Sequence, residues 1–226
     1  MGNVKHLILT IMTLLALTNI NAQGIKIYKS DKTVITINYN DLDSIVACDY
    51  IDKEEFVDMG LSVKWATHNV GAKYPEDDGY YYAWGEMEQK DEYVHENCIT
   101  YKCEMNDISG NPLYDVATTI TGARMPREEE VRELIENSSF EWTEQNGVKG
   151  IVVTSNINGN KIFLPASGDI YEKEYSYWRR AASYWTSTPS ENSKTCSQRL
   201  YFNEYSFEIR TGERFYGRVI RAVMDY

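Results

Sequence analysis

Residues 123–136 read Ala-Arg-Met-Pro-Arg-Glu-Glu-Glu-Val-Arg-Glu-Leu-Ile-Glu, and this stretch predicts a helix that begins at its proline. Proline suits the first helical turn, because its missing N–H would have no helical partner there. The glutamates at 128–130 lie where the positive end of the helix dipole favours negative charge. Val131, Leu134 and Ile135 are spaced i, i+3 and i+4, so they form one apolar face that should pack on a core.

The chain after this helix has the pattern of antiparallel strands. Residues 151–157 and 161–164 flank Asn158-Gly159, a dipeptide that strongly signals a tight hairpin. Further strands are predicted at 200–203, 206–210 and 219–223, with Thr211-Gly212 as a turn. Few helices with many short strands predict an α+β fold.

Two stretches lack a regular pattern. Residues 86–122 show no clear periodicity and predict a long irregular segment. Residues 169–183 form a polar stretch that we interpret as a loop. Long ordered loops are usually functional, so any binding surface is expected in these two stretches and the residues up to 196.

The N-terminal residues predict export. Lys5 precedes an apolar run from residue 7 to 17, and Ala22 is a suitable small residue for cleavage, so residues 1–22 are predicted to be a signal peptide. Residues 23–52 predict a small β-hairpin extension, and 56–226 the main domain. Since no other segment is predicted to cross a membrane, we expect a secreted, periplasmic or cell-surface-associated product without membrane insertion.

Composition narrows the classes of partner. The formal net charge of -11 argues against nucleic acid, which requires clustered Lys and Arg, and against docking on anionic lipid. A zinc site is not expected, because the chain has no paired CxxC motif and its exported part only two histidines, so we predict no metal and no cofactor. Four cysteines in an exported chain permit two disulfides in three pairings, or free thiols acting as small apolar groups; they are Cys48, Cys98, Cys103 and Cys196.

An ordered series of short motifs runs through residues 58–221. It includes Asn69-Val70-Gly71-Ala72, Tyr82-Ala83-Trp84-Gly85-Glu86, Arg124-Met125-Pro126, Phe163-Leu164-Pro165-Ala166, Tyr184-Trp185-Thr186-Ser187-Thr188 and Tyr216-Gly217-Arg218. Over residues 56–226 the series resembles the major paralogous domain family of Fibrobacter succinogenes, which is abundant in secreted proteins of Bacteroidota. That family is similar to the C-type lectin-like fold. The resemblance implies two helices and a long loop around twisted antiparallel strands.

One residue departs from the family pattern. The family usually has threonine, a good helix N-cap, after the Arg-x-Pro motif, and Arg127 stands there in this chain. The helix cap should therefore come from elsewhere, or the helix start should be weaker.

The patterned arginines and tryptophans are predicted to be structural. A guanidinium group can bind a carboxylate or carbonyl oxygens through several hydrogen bonds and so connect the helix to the closing strands. This role is predicted for Arg124, Arg218 and Arg221, with Glu130 as a partner. The aromatic residues of the 169–183 stretch are harder to explain by a core. They are the predicted ligand-binding residues, Tyr171, Tyr175, Tyr177 and Trp178, because aromatic faces stack on sugar rings and anchor protein interfaces.

These observations predict a secreted, non-enzymatic binding module that recognises a glycan or a protein at the cell surface. One alternative is a structural or adhesive subunit, with the N-terminal strands as a docking edge. A further alternative is a polysaccharide hydrolase whose carboxylate pair comes from Glu86, Glu88, Asp91 and Glu92. We favour the first hypothesis, because no hydrolase or phosphate-binding motif occurs in the sequence.

Overall fold

The computed structural model of the chain describes residues 24–28, 34–38 and 56–226. These ranges are mostly β-sheet with two α-helices, which is a small α+β fold. The helices are α1 (Val116–Thr121) and α2 (Glu128–Glu136). The strands are β1 (Gly24–Tyr28), β2 (Val34–Asn38), β3 (Phe56–Asp58), β4 (Lys64–Ala66), β5 (Ser138–Gln145), β6 (Val148–Ser155), β7 (Lys161–Pro165), β8 (Asp169–Tyr171), β9 (Glu174–Ser176), β10 (Ala181–Pro189), β11 (Cys196–Asn203), β12 (Phe207–Glu213) and β13 (Val223–Met224).

The chain divides into two units. The β1–β2 hairpin belongs to the first unit, Met1–Ala47, and residues 56–226 belong to the second, Cys48–Tyr226. The predicted N-terminal hairpin is confirmed, with Gly24 opposite Asn38 and Tyr28 opposite Val34. The predicted signal peptide and Cys48 lie outside the described residues.

The second unit is built from small antiparallel sheets. The strand orders are β13-β4-β3, β5-β6-β7, β8-β9 and β10-β11-β12. The first and last strands both pair with β4, since Val57 and Val223 each lie opposite Trp65. The described chain of this unit therefore starts and ends side by side.

Helix α2 packs as its sequence pattern predicts. Val131 and Leu134 are buried, and they join an apolar core with residues of β4, β6, β7, β10 and β11. A second core cluster contains Trp84 and Trp185 together with α1. Both of these tryptophans and Trp65 are at most 1% exposed, so the prediction that all three are core residues is confirmed.

The start of α2 differs from the prediction. The helix begins at Glu128 rather than at Pro126, because the Pro126 carbonyl accepts a hydrogen bond from Ser187 N–H of β10 at 2.8 Å. The N-cap residue Arg127 has no acceptor on its side chain. Thr188, also in β10, supplies the acceptor instead: its Oγ1 takes the Glu128 N–H at 3.0 Å. The cap thus comes from elsewhere in the chain, as expected, and it ties the helix to the sheet.

The predicted strands at 200–203 and 206–210 are confirmed in β11 and β12, whereas other predictions in the β region are partly wrong. The hairpin around Asn158-Gly159 is confirmed as β6 and β7. Residues 169–183 are not a continuous loop, because they contain β8, β9 and the start of β10. Of the predicted strand at 219–223, only Val223 lies in a strand, β13, while Val219 makes an isolated bridge to Tyr184.

Gly212 explains another wrong prediction. Thr211 and Gly212 are not a turn but lie within β12, opposite Gln198 and Ser197. A Cβ at Gly212 would come within 2.5 Å of Arg218 Nη1 and 2.7 Å of Arg199 Nε. This glycine is required for the close approach of two guanidinium groups rather than for a change of chain direction.

Helix α1 was not predicted within residues 86–122. Its sequence, Val-Ala-Thr-Thr-Ile-Thr, is rich in β-branched residues of low helix propensity. Two caps stabilise it instead. Asp115 accepts the Thr118 N–H at 3.2 Å, and Gly122 ends the helix with φ of 72°.

The described cysteines are free thiols. Cys98 is buried, Cys196 is half-buried and Cys103 is exposed. The alternative of free cysteines therefore holds for these three residues, and the small Cys98–Cys103 loop is not closed by a disulfide. In residues 24–28, 34–38 and 56–226 no helix has both the length and the apolar character needed to span a bilayer.

Candidate functional site

The candidate site rests on an arginine inside the core. Arg221 is 1% exposed, and burial lowers its pKa to about 10, which leaves it charged at neutral pH. A buried charge is stable only when its donors are bonded. The guanidinium donates three hydrogen bonds of 2.9 Å each, from Nε to Asn69 Oδ1, from Nη1 to Ala66 O and from Nη2 to Phe163 O. The predicted structural role of Arg221 is confirmed.

Asn69 connects this arginine to the loop that carries Asp78. The fully buried Asn69 amide donates from Nδ2 to the Asp78 carbonyl at 2.9 Å and to Tyr184 Oη at 3.3 Å. Tyr184 Oη in turn donates to the Pro165 carbonyl at 2.9 Å. The backbone at Asp78 is therefore held from the core.

The Asp78 carboxylate binds two side chains of the segment after β9. Arg179 donates from Nη1 to Oδ1 at 2.7 Å and from Nη2 to Oδ2 at 3.0 Å, a bidentate pair. Trp178 donates from Nε1 to Oδ2 at 2.9 Å. A bidentate, charge-assisted pair of this kind fixes the orientation of the two groups as well as the distance between them. Asp78 thus orients both the indole and the guanidinium.

The turn at residues 177–181 carries these side chains. The Tyr177 carbonyl accepts the N–H groups of Arg180 at 2.8 Å and Ala181 at 2.9 Å, while Arg179 N–H donates to the Ala166 carbonyl at 2.7 Å. Tyr177 and Arg179 have φ of 57° and 61°, a left-handed conformation that ordinary residues adopt only when their surroundings enforce it. The turn is held by contacts with the rest of the domain.

Gly168 provides the closest of these contacts. It has φ of 68°, and a Cβ there would lie 2.3 Å from the Ser176 carbonyl oxygen, 2.8 Å from the Trp178 amide nitrogen and 3.0 Å from Trp178 Cα. Real Cβ atoms essentially never come closer than 3.0 Å to another heavy atom. Only glycine therefore lets the turn pack directly on the backbone before β8.

The Trp178 indole packs against a guanidinium and stays about half exposed. The Arg179 guanidinium lies over the ring at 4.4 Å from its centroid, yet the residue remains 49% exposed. Tyr175 stands beside it at a centroid distance of 6.3 Å and an interplanar angle of 50°. Tyr175 also packs edge-on against buried Tyr81, at 5.5 Å and 81°. Two of the predicted aromatics are therefore brought together on a supported surface.

Tyr177 lies in the same turn but makes no ring contact within the described residues. It is the most exposed of the four predicted aromatics, at 62%. The fold uses its backbone and not its side chain.

Tyr171 is separated from the other three aromatics. In the β8–β9 pair, Tyr171 is opposite Glu174 and Tyr175 is opposite Ile170, so the two tyrosines point to opposite faces of the hairpin. Tyr171 stacks on Tyr216 at 5.4 Å and packs near Phe215 at 6.0 Å. The prediction of one site with four aromatics therefore resolves into a group of three around Trp178 and a separate cluster around Phe215.

Arg124 and Arg218 have the structural roles that the sequence predicts. Arg124 forms a bidentate pair with Glu130, at 2.6 and 2.9 Å, and also bonds Asp225 at 2.6 Å. The hydrogen bond from Arg124 holds the pKa of Asp225 below its usual value. Arg218 donates to Asp169 at 2.9 Å and lies over Trp185 at 4.2 Å. These contacts join the helix, β8 and the C-terminal segment.

Sequence reasoning missed the acidic partner of the site. Asp78 is paired with a residue 101 positions away in the sequence. Its carboxylate is only partly exposed. A local sequence signal for this pairing is absent, because the contact exists only after β8, β9 and the loop meet.

One carboxylate of the hydrolase alternative, Glu86, is buried and bonded within the fold. Glu86 is 4% exposed and is bonded to Lys90 Nζ at 2.5 Å and to Ile99 N–H at 2.7 Å, which gives it a structural role. Glu88, Asp91 and Glu92 are exposed at the surface. Among residues 24–28, 34–38 and 56–226, no group of three or more His, Cys, Asp or Glu side chains is placed to hold a metal ion.

Three surface grooves lie away from the aromatic group. Their volumes are about 260, 480 and 560 Å³. The last is formed by residues 103–107 and 188–194 with Arg214, and the ion pair between Lys194 and Glu104 at 3.1 Å spans those two segments. None of the four predicted aromatics lines any of these three grooves.

Comparison with known proteins identified no relative of the chain. No protein-family model matches the chain, and neither the curated proteins nor the solved structures contain a match to it.

Proposed function

We propose that residues 56–226 form a C-type-lectin-like binding domain of the paralogous family named above, and that the protein is exported and binds a glycan at the cell surface without catalysing a reaction. The observation that carries this proposal is the orientation of Trp178. Its indole is hydrogen-bonded to Asp78, is contacted by the Arg179 guanidinium and is 49% exposed.

An oriented aromatic face suits a sugar ring. The C–H groups of a pyranose form an apolar face that stacks on an indole, while the sugar hydroxyls remain free for polar contacts. Binding costs free energy when side chains must be ordered at the interface. Here the Asp78 fork orders the indole before any ligand arrives, so little of the stacking energy is lost.

The site argues for binding rather than turnover. Glycoside hydrolysis needs two carboxyl groups that face the substrate from suitable distances. The carboxylate of Asp78, which is bonded to Trp178, also accepts two hydrogen bonds from Arg179. Both oxygens of this carboxylate therefore hold Trp178 and Arg179 in position.

Substitution of the exposed aromatics tests this function. We expect Trp178→Ala to reduce binding to whichever polysaccharide the purified protein retains in affinity electrophoresis by about two- to tenfold, because ring stacking on an aromatic side chain contributes about 0.5–1.5 kcal/mol. Tyr205→Ala is the matched control, since Tyr205 is 84% exposed and lies between β11 and β12. Equal loss in both variants, or no loss in Trp178→Ala, would refute the assignment.

A second candidate function rests on the N-terminal hairpin. In the described residues, β1 and β2 pair only with each other, so each strand has an outer edge that can accept another strand. This arrangement favours a structural or adhesive subunit. Sedimentation velocity of the purified protein over a wide concentration range is the test, and a strictly monomeric protein would contradict this candidate.

A further inference from the structure

The ten arginines of the chain differ in how the fold uses them. All ten lie between residues 124 and 221, in the described part of the chain. Nine of them bond side chains or carbonyls; they are Arg124, Arg127, Arg132, Arg179, Arg199, Arg210, Arg214, Arg218 and Arg221. Arg180 is exposed, and its side chain has no hydrogen bond or ion pair within the described residues.

Arg180 belongs to the same turn as the oriented indole. Its N–H donates to the Tyr177 carbonyl at 2.8 Å, which closes a tight turn with Trp178 and Arg179 at its centre. The ends of such a turn are less than about 7 Å apart. The two exposed side chains that the fold leaves unused, Tyr177 and Arg180, therefore stand at the two ends of the turn that presents Trp178.

An unpaired guanidinium in the same turn as an aromatic face has a specific chemical complement. Arginine binds carboxylates through two parallel hydrogen bonds, which a hydroxyl cannot reproduce. A hexuronic acid carries its carboxylate at the rim of the pyranose ring. When that ring stacks on Trp178, the carboxylate projects sideways, within reach of a long side chain two residues away.

Of the two arginines that follow Trp178 in the turn, only Arg180 has a side chain without a partner in the described residues. Arg179 is already committed to both oxygens of Asp78. The net charge of -11 opposes a polyanion at long range, so recognition of an anion requires a local contact of defined geometry.

We propose that the Trp178 surface binds carboxylate-bearing sugars, with the hexuronate ring stacked on Trp178 and its carboxylate paired with Arg180. This inference rests on the proposed glycan-binding function and names its ligand class.

The test uses pairs of polysaccharides that differ only in charge. Polygalacturonate, alginate and hyaluronate are each compared with their carboxyl-reduced forms by isothermal titration calorimetry on the purified protein. We expect at least one native polymer to bind about tenfold or more tighter than its reduced form, because hydrogen bonds to charged groups contribute about 1.5–3 kcal/mol.

Variants separate this inference from the proposed function. Arg180→Gln should remove the preference for the native polymer and leave the affinity for the reduced form unchanged, and Arg180→Lys should restore only part of the preference. Trp178→Ala should weaken binding to both forms. Arg132→Gln is the charge-matched control, because Arg132 is exposed on α2 and bonds Glu128 there.

Each outcome decides between the two proposals. Equal, Trp178-dependent binding of native and reduced polymers would overturn the uronate inference and leave the glycan-binding function standing. A preference for the native polymer that Arg180→Gln does not change would also overturn it. If no native or reduced polymer binds and a panel of neutral glycans also fails, both proposals are wrong.

Discussion

Substitution of Gly168 by alanine tests how the candidate site is held. The new methyl group would lie 2.3 Å from the Ser176 carbonyl oxygen and 2.8 Å from the Trp178 nitrogen, whereas ordinary contact begins at 3.4 Å, so the facing backbone must move by about 1.1 Å. Overpacking of this kind costs about 1–3 kcal/mol. The left-handed φ of 68° adds about 1–2 kcal/mol for any residue with a Cβ. We expect Gly168→Ala to lower the free energy of unfolding by about 2–5 kcal/mol.

Gly147→Ala is the matched control. Gly147 also has a positive φ, 82°, but a Cβ there would meet no atom within 4 Å. It therefore bears the conformational cost of about 1–2 kcal/mol without the clash. Both substitutions reduce the entropy of the unfolded chain equally, so this contribution cancels in the comparison.

Urea denaturation of the three proteins, followed by tryptophan fluorescence, measures the difference. The dependence of unfolding free energy on denaturant should stay the same, because the surface exposed on unfolding does not change. Gly168→Ala should also weaken any Trp178-dependent binding, while Gly147→Ala should not. Equal destabilisation by the two substitutions would show that the turn does not pack on Gly168, and the argument for a preorganised indole would fail.

Three further perturbations test the fold around the site. Thr188→Val should cost about 1–2 kcal/mol in urea denaturation, because it removes the acceptor that caps α2; an unchanged midpoint would contradict that role. In mass spectrometry after brief alkylation, Cys103 should be modified first and Cys98 last, since burial both covers Cys98 and raises its pKa; the reverse order would refute the described burial. Arg124 lowers the pKa of Asp225, so this carboxylate contributes stability above its unfolded pKa and loses it as pH falls through the lower, folded pKa. Asp225→Asn should therefore reduce stability at neutral pH by about 0–1 kcal/mol, with a difference that vanishes in acid; a constant difference would contradict the linkage.

Local patterns predicted the elements whose stability is local. Helix α2 has a continuous apolar face, and the β6–β7 hairpin has a turn dipeptide, so periodicity and turn chemistry were sufficient for both. Helix α1 could not be predicted in this way, because Asp115 and Gly122 stabilise a segment of poor helix propensity. Strand β5 was missed for a related reason: the chain passes from Asn137, whose side chain caps α2, directly into the strand without a loop.

The candidate site could be predicted only as a list of exposed aromatics. Composition and polarity pointed to residues 169–183, and three of the four residues named there do lie around one turn. The assignment of these residues to a binding site stays a prediction. The division of Tyr171 from Tyr175 depends on the register of β8 and β9, since a shift of one residue would put them on the same face. No pattern in the sequence specifies that register.

Hydrogen bonds that start at a buried arginine connect the core of the domain to the candidate site. Arg221 is buried and fixes Asn69, Asn69 holds the backbone of Asp78, and the Asp78 carboxylate orients Trp178. A chain of hydrogen bonds therefore runs from the core to the exposed indole. Arg180 follows this indole by two residues in the sequence, and its side chain has no hydrogen bond or ion pair in the described structure. Because the fold gives every other arginine a partner, a ligand with a carboxylate would complete a pattern that the rest of the domain already follows.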